Sequence, residues 1–81
     1  SLQLFYNMSN FILSPKKSVI AKDNINFVDQ LEYCSQEDVY YFEIYLKQYL
    51  AGKSVLKIMC FEDEEKSLSF RDKFVTELFN Q

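Results

Sequence analysis

The chain has 81 residues, 48% of them hydrophobic and 17% aromatic, with 12 acidic against nine basic side chains and a formal charge of -3. That length fits one domain, which at this size buries about 60–65% of the surface its unfolded chain exposes, and the eight Phe and six Tyr supply apolar area enough to exclude a disordered chain. The acidic balance argues against a dedicated nucleic-acid binder, whose surface is basic to meet phosphates, and no apolar run reaches the roughly 20 residues of a membrane-spanning helix.

In chain order, residues 2–6 and 11–13 are short aromatic or aliphatic runs that read as a strand pair, closed by the turn Ser14-Pro15-Lys16-Lys17. Proline cannot donate to a strand ladder and pre-sets a turn dihedral. Residues 18–21 resume an extended pattern, and Lys22-Asp23-Asn24 breaks it. Ile25, Phe27, Val28 and Leu31 then fit either a helical turn or another strand.

Residues 35–50 carry two templates. As a helix, Ser35 caps the start, Val39, Phe42, Leu46 and Tyr49 form a stripe, Glu43 pairs with Lys47 four residues on, and Gly52 ends it. As a strand, Tyr40, Phe42, Ile44 and Leu46 face the core while Tyr41 and Tyr45 point away. The dense β-branched and aromatic run from Val39 to Tyr45 favours the strand. Residues 53–61 form a second strand with Leu56, Ile58 and Cys60 on one face, and Ala51-Gly52 stands where a hairpin turn belongs. The final element is an amphipathic helix that starts at Asp63, Glu64 and Glu65, acids suited to a helix N-terminus, and runs to about residue 80. Steps of about 100° gather Leu68, Phe70, Phe74, Val75, Leu78 and Phe79 on one half, interrupted by Arg71; Asp72, Lys73, Thr76 and Glu77 take the other.

The sum is an α+β domain spanning residues 1–81: a bent antiparallel sheet or partial barrel closed by one C-terminal amphipathic helix. The segment SVIAKDNI, the hairpin VYYFEIYL and SVLKIMCF, and the closing helix EDEEKSLSFRDKFVTELF resemble, as a pattern, the later part of a pleckstrin-homology or GRAM-like domain. The resemblance implies a bent antiparallel barrel capped by the helix, and a binding rather than catalytic role. The chain departs from it by being short by a strand or two and by lacking a helix Trp, for which Phe70 or Phe74 would substitute. Its basic cluster is also thin, which shifts the implied ligand from lipid towards protein.

Tests for chemistry return little. With no histidine, the usual general base near neutral pH is missing, together with His-containing triads and metal sites. Glu62-Asp63-Glu64-Glu65 lacks the spaced ligands and turn Gly of a calcium loop, and reads as a solvated helix start. Gly52-Lys53-Ser54 ends like a phosphate-binding loop, but Lys47 occupies the position of its first Gly and a strand follows where a helix is needed. Cys34 and Cys60 have no metal or redox spacing and read as buried free thiols of a reducing compartment, with a single disulfide left open. Asn7-Met8-Ser9 has the form of a glycosylation sequon, but nothing indicates a secretory route, and Ser14 before Pro15 has the form of a phosphorylation site.

The expected function is therefore a non-enzymatic protein-interaction module, an adaptor or scaffold without cofactor, binding a protein or peptide and no nucleic acid. Tyr41 and Tyr45 turn away from the core, and with Lys73 and Glu77 on the helix they are the candidate partner-binding residues. The alternative is peripheral attachment to a membrane through anionic phosphoinositide headgroups held by Lys16, Lys17, Lys22 and Lys53. The absence of a signal-peptide pattern places the chain in the cytoplasm or nucleus, and its start at Ser1 without Met suggests a fragment of a longer protein.

Overall fold

A computed structural model describes residues 7–8, 11–13 and 19–79. The first three strands, β1 (Asn7–Met8), β2 (Phe11–Leu13) and β3 (Val19–Ala21), form one antiparallel sheet in sequential order. A 3-10 turn at Lys22–Asn24 then leads into the second sheet. Here β6 (Val39–Leu50) is central: β4 (Ile25–Val28) and β5 (Glu32–Cys34) lie end to end along one edge, and β7 (Lys53–Met59) pairs with the other. The helix α1 (Glu64–Phe79) closes the chain. The architecture is thus α+β, antiparallel with one C-terminal helix, as the sequence indicates. Among the described residues the strands form two sheets, and neither closes into a barrel.

The 35–50 segment resolves to strand. Val39–Leu50 is extended throughout, and Ser35 lies in the turn that joins β5 to β6 rather than at a helix start. In that turn Asp38 adopts φ 53, a left-handed conformation Asp tolerates, and its Oδ1 accepts a hydrogen bond from the Tyr33 hydroxyl at 2.6 Å. The second hairpin turns through Ala51 (φ 54) and Gly52 (φ 79), a two-residue loop between paired Leu50 and Lys53; positive φ at both positions is the type I′ geometry that matches strand twist.

Both sheets and the helix share one core. Ile12 and Ile20 come from the first sheet, Phe42, Ile44, Leu46 and Ile58 from the second, and Phe70 and Phe74 from α1. Phe42 is its hub, edge-on to Phe74 at 5.3 Å between ring centroids and tilted against Phe70 at 6.3 Å. The helix starts at Asp63, whose Oδ2 accepts the Lys66 N–H at 2.8 Å, a side-chain cap for an otherwise orphan donor.

Of the expected apolar half of the helix, only part packs on the core: Phe70, Phe74 and Leu78 do, and the edge residues do not. Ser67, Phe70 and Phe74 are buried, whereas Leu68 and Phe79 are exposed, Phe79 at 81%. Ser67 belongs inside for a polar reason. Its hydroxyl donates to the Phe61 carbonyl at 3.1 Å and accepts the Phe61 N–H at 3.0 Å, tying the first helical turn to the segment leaving β7. Arg71, which interrupts the apolar stripe, sends its Nε–H to the Asp29 carbonyl at 2.9 Å and lays its guanidinium over the Phe42 ring at 6.0 Å.

Candidate outer-face binding surface

Alternation along β6 sends Phe42, Ile44 and Leu46 to the core and Tyr41, Glu43 and Tyr45 to the opposite face. Cross-strand register places neighbours on that outer face in rows: Glu32, Tyr41 and Met59; Glu43 and Lys57; Phe27, Tyr45 and Val55. Phe27 reaches this face through a break in pairing. Between Ile25 and Phe27 the register against β6 slips by one residue, so Ile25 packs on the core while Phe27, two residues on, stands 54% exposed.

Aromatic contacts organise these rows. The Phe27 and Tyr45 rings lie 5.6 Å apart, and the Lys57 ammonium sits 4.6 Å above the Tyr41 ring. Loss of hydration raises the Tyr45 hydroxyl pKa, with Glu43 and Asp29 adding to the effect. Tyr33 is likewise raised, chiefly by its hydrogen bond to Asp38. Val55 and Met59 are exposed at the β7 side. The helix packs through Phe70 and Phe74 on the other side of the sheet; on the face bearing Tyr41 and Tyr45 those two rings are half-buried, while Phe27, Val55 and Met59 are exposed.

The four candidate partner-binding residues therefore do not form one site. Tyr41 and Tyr45 share the outer face, Lys73 is exposed on the helix across the sheet, and Glu77 is half-buried there with one carboxylate oxygen lacking a hydrogen-bond partner. Phe27, Val55, Met59 and Lys57 are the members the sequence reading missed. Val55, Lys57 and Met59 follow from strand alternation once β7 is placed, whereas Phe27 follows only from the slip at Asn26.

The candidate anionic-ligand set is also divided. Lys16, Lys17 and the candidate phosphorylation site Ser14 lie outside the described residues. Lys22 is buried, which removes it from a solvent-facing headgroup site. Lys53 is exposed at the start of β7. Cys34 and Cys60 are free and half-buried rather than fully buried, and burial pushes the Cys60 thiol up to about 11. Among the described residues, no group of three His, Cys, Asp or Glu side chains is placed to hold a metal ion, and no helix is long and apolar enough to cross a membrane.

The geometry defines an α+β domain whose helix covers one face of its larger sheet and leaves an aromatic outer face. Comparison with protein-family models, curated proteins and solved structures finds no match for the chain.

Proposed function

We propose that this domain is a non-enzymatic protein-interaction module, of pleckstrin-homology or GRAM-like kind, that binds a partner protein or peptide on the outer face of its larger sheet. One observation carries the reading: exposed Phe27, Val55 and Met59 stand with half-buried Tyr41 and Tyr45 on the sheet face opposite the helix. Aromatic residues and Met are the types enriched where proteins meet, and a rigid sheet presents them with little ordering cost. Lys57 and Glu43 in the middle row add a charge pattern that sets partner orientation.

What supports the domain type is coarse: antiparallel strands in two sheets share one core with a single C-terminal helix. The alternative of a phosphoinositide headgroup held jointly by Lys16, Lys17, Lys22 and Lys53 is weakened by the burial of Lys22.

The test is an affinity capture with the domain as bait, followed by identification of retained proteins. Phe27→Ser with Tyr45→Ser is expected to abolish retention of the specific partner while far-ultraviolet circular dichroism stays that of the parent. Retention unchanged by this pair, but lost on Lys73→Glu, would move the site to the helix and sink the sheet-face reading.

A further inference from the structure

Charge along the chain is unevenly divided. Between Glu43 and Glu62 there are three lysines, Lys47, Lys53 and Lys57, and no carboxylate, in a chain whose total is -3. Those residues are the distal part of β6, the Ala51-Gly52 turn and β7. The acids gather at the other end of the hairpin. Glu37 and Asp38 lie in the β5–β6 turn, and Tyr40 bonds Phe61 through its N–H and Cys60 through its carbonyl, which brings residues 62–65 beside them.

The turn end is also apolar where it is most exposed. Tyr49 is 75% and Leu50 38% exposed, directly before the turn and between the exposed Lys47 and Lys53. Pairing explains the projection. From Tyr45 opposite Val55 to Leu50 opposite Lys53 the register shifts by three residues, so that residues 46–49 of β6 face Ser54 alone on β7. The backbone of Gln48 is held from the other side, its N–H donating to Asn24 Oδ1 at 2.9 Å and its carbonyl accepting from Asn24 Nδ2 at 3.4 Å. The extra length is therefore anchored at its base and carries Tyr49 and Leu50 outward. Asp23, on the adjoining 3-10 turn, is the acid carried by the element beside Gln48.

From this placement we propose a second docking surface, separate from the sheet face: the β6–β7 hairpin tip seats on an anionic lipid bilayer, with Tyr49 and Leu50 in the interfacial layer and Lys47 and Lys53 against the headgroup charge. Tyr places an apolar ring and a polar hydroxyl across such a boundary, and lysine stems lie along apolar surface while their ammonium groups stay at the polar level. Two lysines and two side chains make a weak, reversible and salt-sensitive contact. Seated this way, the domain rests on the membrane by its hairpin tip.

Co-sedimentation of the whole chain with vesicles of phosphatidylcholine alone, and with a third phosphatidylserine, tests this. Pelleting is expected with the anionic vesicles only, and it should fall as salt rises. Lys47→Glu with Lys53→Glu should lower the apparent affinity about tenfold or more, since each lysine near such a surface contributes appreciably to binding. Tyr49→Ser with Leu50→Ser should lower it with charge unchanged, and Asp23→Asn should raise it. Equal pelleting with both vesicle types, no pelleting at low salt, or a bound fraction unmoved by both tip pairs overturns the proposal. So does a tip pair that changes oligomeric state in gel filtration while leaving pelleting intact, which would make the tip a protein contact. Because Phe27 and Tyr45 are untouched, capture of a protein partner on the sheet face succeeds or fails independently of the vesicle result.

Discussion

Ser67 has no exposed surface, and it is the residue whose burial most needs a polar explanation. A buried hydroxyl is tolerated when both its donor and its acceptor capacity are used, and Ser67 uses both on one residue, bonding the N–H and the carbonyl of Phe61. Removing it leaves unequal losses. The Phe61 carbonyl still accepts the Tyr40 N–H at 2.9 Å, but the Phe61 N–H loses the hydroxyl it donates to. Ser67→Ala is therefore expected to cost about 1 kcal/mol, the net worth of the hydrogen bond that the part-buried Phe61 N–H loses. Urea unfolding followed by circular dichroism should show a lower midpoint with an unchanged slope; a midpoint equal to the parent's would mean that water or a small shift replaces the hydroxyl. Arg71 belongs to the same class of residue. It sits in the apolar arc of the helix because its guanidinium covers the Phe42 ring and its Nε–H serves the Asp29 carbonyl, so the position is polar at one atom and apolar over the rest.

At the scale of elements, legibility followed periodicity and failed where pairing depends on distant chain. Residues 39–50 and 53–59 were readable as a hairpin because β-branched and aromatic side chains alternate along them and Ala51-Gly52 supplies the turn. The core-facing set Leu56, Ile58 and Cys60 was legible for the same reason. β5 was not, since Glu32, Tyr33 and Cys34 carry no pattern of their own and become strand only by pairing with Tyr41, Tyr40 and Val39. Nor was the outward aim of Phe27, which rests on the slip at Asn26, or the part of the helix's apolar half that meets the core, which is set by Ser67 and by where Phe42 stands. The turn itself is imperfect for its type. Ala51 holds φ 54, where an L side chain with a Cβ is disfavoured and Asn is several-fold preferred. Ala51→Asn should raise stability by about 0.5–1 kcal/mol, and Ala51→Val should lower it, because a β-branched side chain fits that region worst. Equal melting temperatures for Ala51→Val and the parent would contradict a left-handed Ala51.

For the whole molecule, the question is whether two separate sheets behave as one folding unit. Among the described residues their strands do not hydrogen-bond to each other, so cooperation between them passes through side chains. Ile12 and Ile20 of the first sheet, Phe42, Ile44, Leu46 and Ile58 of the second, and Phe70 and Phe74 of the helix form one contiguous cluster. A domain this small has a total stability of roughly 4–12 kcal/mol, so one large core side chain is a substantial share of it. Phe74 is fully buried and meets Phe42 edge to face. Phe74→Ala is expected to cost about 3–5 kcal/mol through lost transfer energy and the cavity left behind, while Phe74→Leu, which retains most of the volume, should cost less. The informative measurement is native-state hydrogen exchange on Phe74→Leu, which is the variant expected to stay folded. If the shared cluster couples the sheets, the opening free energies of amides in β3 and in β6 fall by the same amount, although Phe74 belongs to neither. A loss confined to β6 and the helix, with β3 unchanged, would show the first sheet to be an independent unit resting on the second. Cooperation through the core also bears on function: the outer face carrying Tyr41 and Tyr45 is the back of the strand whose front is Phe42 and Ile44, so a core held as one unit keeps those rings in fixed register for a partner.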